Sequence, residues 1–130
     1  MKIAMVIVRT LLGLLFVFAS ATYFLDLITP PPMEGPIKTF NEGLAASGYF
    51  FTLLKATELI CAVMLLTGRF VPLALVILAP IIINIFMVHL LLERSGLPIA
   101  IFVVLAAAFL AYCYRAAFRP LFTYNYGDSN

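Results

Sequence analysis

Four polar residues stand out within the long apolar stretches of this chain: Lys55, Glu58, Asn84 and His89. A carboxylate can accept a proton, while an ammonium, an amide and an imidazole can each donate a hydrogen bond. Lys55 and Glu58 are spaced i, i+3, so on a helix they project from one face and can pair. Cys61 continues that stripe. Asn84 and His89 are five apart, which turns them roughly 140° from each other at about 100° per residue. Glu58 is the candidate proton acceptor, and Lys55, Glu58, Asn84 and His89 are the candidate ligand-binding set. Each also has a plainer role. Lys55 and Glu58 can be an internal ion pair that sets helix register. Asn84 can be interhelical glue, and His89 can be solvated or bonded to a carbonyl.

Several chemistries are excluded. One histidine cannot ligate a haem from both sides. There is no G-x-G-x-x-G or P-loop, and no G-x-S-x-G elbow. Cys61 and Cys113 have no C-x-x-C spacing. The carboxylates are too few and scattered to build a metal cage, so no metal site is expected. No basic block argues for nucleic acid. A quinone site stays open: it needs an apolar slot, donors for the ring carbonyls and a proton acceptor.

The elements that must position these residues follow from composition. The 130 residues are 65% hydrophobic and 11% charged, against about 45–50% and about 25% in soluble domains. A soluble domain of this size cannot bury that much apolar surface. The expectation is a single integral membrane domain, residues 1–130, whose first partner is the lipid bilayer. Stretches of about 20 apolar residues, enough to cross the hydrocarbon, run over about 10–28, 49–66, 70–92 and 97–114. Pro30-Pro31-Pro32, Gly68-Arg69 and Arg94-Ser95-Gly96 supply the stops. The last two connections are short, so spans two, three and four are antiparallel neighbours.

In the longer first connection, Ile37, Phe40 and Leu44 fall at i, i+3 and i+7 among Lys38, Thr39, Asn41 and Glu42. That spacing predicts a short amphipathic helix, which either packs over the bundle end or acts as a lid. Ala19-Ser20-Ala21 resembles a leader-peptidase site, but Arg9 interrupts the apolar stretch, and a retained span is expected. Lys2, Arg9, Arg69, Arg115 and Arg119 on one side, against Lys38 and Arg94 on the other, place both termini in the cytoplasm. The expected architecture is all-α: a four-helix transmembrane bundle with an amphipathic helix in the outer loop between spans one and two. At about 1.5 Å per residue, Glu58 and Asn84 share a depth of roughly 12 Å from the outer end. Depth matching predicts one polar hollow between spans two and three, open to the outside, with Asp26 near its rim.

Several strings have a familiar order: Arg9-Thr10-Leu11-Leu12-Gly13-Leu14-Leu15-Phe16, then Ser47-Gly48-Tyr49-Phe50, Leu54-Lys55-Ala56-Thr57-Glu58-Leu59, Thr67-Gly68-Arg69-Phe70-Val71-Pro72-Leu73-Ala74, and Ala79-Pro80-Ile81-Ile82-Ile83-Asn84 leading to His89. Together they resemble the DoxX family of small four-span bacterial membrane proteins. The resemblance covers about 9–119. It implies a four-helix bundle in the bacterial cytoplasmic membrane, kinship with the membrane subunit of thiosulfate:quinone oxidoreductase, and a redox-associated role. The family's recurrent Lys/Glu and Asn/His match Lys55, Glu58, Asn84 and His89. No agreed catalytic set comes with it.

The leading expectation is a quinone- or small-molecule-binding subunit of an oxidoreductase system. Its partner would be a membrane or redox protein carrying the metal or flavin, or further copies of itself. Two rivals stand beside it. One is a non-enzymatic membrane scaffold, suited by the small residues Ala106, Ala107, Ala108 and Ala111. The other is a binder of a small solute or metal.

Overall fold

The computed structural model describes residues 2–26 and 33–124. Pro30-Pro31-Pro32 and the expected end of span one, 27–28, lie outside the described residues. The elements are α1 (Lys2–Phe24), α2 (Pro36–Ala46), α3 (Phe50–Thr67), α4 (Val71–Leu91), α5 (Leu97–Cys113) and α6 (Arg115–Phe118). Short 3-10 turns, Arg94–Gly96 and Arg119–Phe122, precede α5 and follow α6. Among the described residues four helices are long and apolar enough to cross a membrane, and the chain is a multi-pass membrane protein with an all-α, four-helix bundle fold.

α1 begins earlier than expected, at Lys2 rather than near residue 10. Arg9 lies inside this helix rather than at its start. Its Nη1 donates to the Tyr114 hydroxyl at 3.3 Å, tying α1 to the end of α5. Residues 2–9 contain no helix breaker, so the helix runs through them.

α1 packs on α3 and α5, and α4 packs on the same two helices. The cyclic order is α1–α3–α4–α5 with antiparallel neighbours throughout. Each helix offers a stripe at helical spacing: Leu12 and Phe16, then Cys61 and Leu65, then Leu78 and Ile82, then Val103 and Leu110. The outer surface is also apolar, with Phe18, Ile60, Ile83 and Leu105 exposed. Such a surface suits hydrocarbon, where the helices satisfy their own backbone groups.

Local chemistry sets the turns. Gly48 takes φ +81°, a left-handed value that costs glycine little. Beside it, Ser47 Oγ donates to the Leu44 carbonyl at 2.7 Å and accepts the Phe50 N–H at 3.0 Å, joining the end of α2 to the start of α3. Gly68 at φ +74° ends α3, where its N–H and that of Arg69 both reach the Met64 carbonyl. α2 has the amphipathic form that its spacing predicts: Ile37 is buried, Phe40 and Leu44 are half-buried, and Lys38, Thr39 and Glu42 face out.

Candidate functional site

α3 brings Lys55 and Glu58 together as the i, i+3 spacing requires. Lys55 Nζ lies 3.1 Å from Glu58 Oε2. Glu58 is 2% exposed, because it continues the Cys61–Leu65 stripe into the bundle. The contact is an ion pair without hydrogen-bond alignment, so Oε2 remains a buried acceptor lacking a donor. Desolvating a carboxylate in this way is costly unless a partner charge and donors compensate.

A second buried polar atom lies at the same level. Gly13 meets Ala62 and Leu66, and the Tyr23 hydroxyl lies 3.1 Å from Thr52 Oγ1. Between those two contacts, antiparallel register places Ser20 of α1 opposite Lys55, within about a turn of Glu58. Ser20 is fully buried and its Oγ has no hydrogen-bond partner. The sequence reading missed Ser20, although its spacing from Leu12 and Phe16 puts it on the buried stripe of α1.

The structure does not bring Asn84 to this pair. Asn84 is exposed on α4. It follows the buried Ile82 by two residues, which turns it about 200° around the helix from that core position. Equal depth with Glu58 therefore does not become proximity, and the expected hollow between α3 and α4 does not contain Asn84. His89, seven residues after Ile82, returns to the inner side at the end of α4. Its ring packs against Gly96, and its Nδ1 lies 3.1 Å from the Glu93 carbonyl oxygen. That is the carbonyl-bonded role. Glu93 Oε1 in turn accepts the Ser95 N–H at 3.1 Å, and this bond holds its carboxyl below the usual 4.5. Asp26 is exposed, beside the end of α1.

A cavity lies elsewhere, between α4 and α5 toward α6. Its volume is about 600 Å³. Val76, Ala79 and Ile83 form one wall, and Ala107, Ala108 and Ala111 form the other. Phe118 and Phe122 close one end, where Arg115 and Arg119 are the polar groups. The Arg115 guanidinium stacks 4.3 Å from the Tyr112 ring centre and donates to the Tyr112 carbonyl at 2.9 Å. Pro80, inside α4, has no N–H for the carbonyl of Val76, a residue of the cavity wall. The cavity thus offers an almost wholly apolar slot, with the arginine side chains at one end and the Arg115 guanidinium held on Tyr112, outside its lining. Alanine, valine and isoleucine are the ordinary residues of any span, so no sequence signal marked it.

Compared with known proteins, the chain matches no protein-family model, no curated protein and no solved structure.

Proposed function

We propose that the protein is a redox-associated membrane subunit that holds a quinone, or a small amphiphile of similar shape, in the α4–α5 cavity. The observation that carries this reading is the cavity itself: about 600 Å³, apolar along its walls and bounded at one end by Arg115 and Arg119. Its residues fit the group. A planar ring and apolar tail suit alanine and branched aliphatic walls, and in this reading an arginine at the end turns its guanidinium toward a ring carbonyl. When bound, a quinone supplies two-electron chemistry that no side chain here provides. The resemblance to the DoxX family supports the same reading and adds the bacterial cytoplasmic membrane. The Lys and Arg distribution supports cytoplasmic termini, which puts the cavity mouth on the cytoplasmic side.

In this reading Lys55 and Glu58 do not line the cavity, and their part is in the bundle rather than on the ligand. Purified protein should carry quinone at near one per chain, well above its share of the surrounding lipid. A108W, which fills the slot, should abolish that enrichment, and E58Q should leave it intact. Protein without quinone enrichment, or A108W that keeps it in a folded bundle, overturns the proposal.

A further inference from the structure

One polar side chain in the membrane-spanning part of the protein faces the wrong way for a lone bundle. Asn84 is exposed on α4 and makes no hydrogen bond among the described residues. Three of the threonine hydroxyls in the spans behave differently. Thr22, Thr57 and Thr67 each donate to a carbonyl of their own helix. Asn84 lies seven residues from Leu91, about 10 Å inside the end of α4. Its side chain is too short to reach the headgroups from there, as lysine or arginine would. Two amide protons and a carbonyl oxygen therefore face hydrocarbon, which supplies neither donor nor acceptor.

The surroundings of Asn84 have a pattern. Leu73, Ile77, Pro80, Asn84, Met87 and Leu91 are all exposed. They are separated by four, three, four, three and four residues, the spacing of a left-handed helix–helix seam. The seam runs nearly the full length of α4 and holds one polar residue. In such seams a single Asn fixes register and partner number. The cavity wall of α4, at Val76, Ala79 and Ile83, adjoins the seam on one flank, centred about 90° around the helix from it, so a second copy on the seam would border the cavity.

We propose that this face of α4 is a homodimer interface, on which a second copy of the chain pairs its Asn84 amide with Asn84 across a two-fold axis. A second copy is the occupant because a primary amide is self-complementary. On a two-fold axis each Asn donates to the other's oxygen and accepts in return, and every seam residue meets its own counterpart or a neighbour. A lipid tail offers no donor or acceptor for the amide.

The test is association of the purified full chain in bicelles, measured by energy transfer between labelled copies across a dilution series, and by oxidative crosslinking in a C113A background. The native chain should be dimeric. N84L should weaken the dimer at least tenfold, while N84Q keeps it. M87C on the seam should crosslink rapidly, and L105C on the exposed side of α5 should not. A native monomer, an assembly larger than a dimer, an unchanged N84L dimer, or L105C crosslinking as readily as M87C overturns the proposal. If N84L does not fold, the two cysteine variants, which keep Asn84, decide the question. None of these readouts depends on what the cavity holds.

Discussion

Lys55 Nζ sits 3.1 Å from Glu58 Oε2, and both belong to one helix, with the Glu58 side chain 3% exposed and the Lys55 side chain 22% exposed. The pair is asymmetric. Glu58 is enclosed by the bundle, whereas Lys55 keeps a route toward the surface along its alkyl stem.

That asymmetry orders a mutant series. K55M leaves the buried carboxylate without its counter-charge and should cost about 3–5 kcal/mol, the range for a broken buried pair. E58Q leaves a lysine that can turn outward, so its cost should be smaller. K55M/E58L should recover most of the loss, since apolar replacements of buried pairs are often neutral. Unfolding of the three variants in mixed micelles checks the order. Equal losses for K55M and E58Q would show that the ammonium is as trapped as the carboxylate.

Gly13 sets how closely α1 approaches α3. A Cβ there would lie 2.9 Å from Leu66 Cγ and 3.3 Å from the Ala62 carbonyl oxygen. G13L should therefore overpack the interface and destabilise the bundle by about 1–3 kcal/mol. G13A should cost less, because the Leu66 side chain can shift. Thermal midpoints of both variants test this, and a neutral G13L would show that the two helices can separate freely.

Two other glycines should respond in opposite directions. At Gly68 the backbone is left-handed, and a Cβ would stand 3.0 Å from Arg9 Nη1. G68A should cost about 1–2 kcal/mol from the backbone alone, and more if the Arg9–Tyr114 bond is disturbed. Gly43 lies inside α2 with open space around it. G43A should stabilise by about 0.4–1 kcal/mol through the unfolded chain. Helix retention on heating reads both.

The turn between α4 and α5 should loosen in acid. The Ser95 N–H lowers the Glu93 carboxyl below 4.5, helped by nearby His89. A depressed folded value means the bond contributes fully above the unfolded value and is lost as pH falls through the folded one. The amide resonance of Ser95 in bicelles should therefore move with a midpoint below 4.5, and E93Q should show the acid form at neutral pH. A midpoint above 4.5 would rule out the bond as the cause.

The spans and their turns were legible because their signals are local: apolar length, Gly68, and the Arg94-Ser95-Gly96 stop. The Lys55–Glu58 pair was legible for the same reason, since i, i+3 spacing needs only the helix. Asn84 was misplaced because depth and direction are separate coordinates. Counting along α4 fixes its level, but only the core stripe through Leu78 and Ile82 fixes the side from which it projects. The helix ahead of residue 10 was not legible because apolar length marks a span and not where its helix starts, and the Tyr114 partner of Arg9 lies 105 residues away. The α4–α5 cavity was illegible because a void has no residue type of its own.

Placing both ions of the core pair on α3 bears on biogenesis. A cation and an anion one turn apart neutralise each other on the isolated helix, before any other segment has arrived. The penalty for carrying charge into the bilayer is thus reduced at the moment of insertion, not after docking. The reversal at 68–70 then lets α3 enter as a hairpin with α4, which carries no acidic or permanently charged side chain. In the finished bundle α1 packs on α3 and encloses a carboxylate already compensated on its own helix.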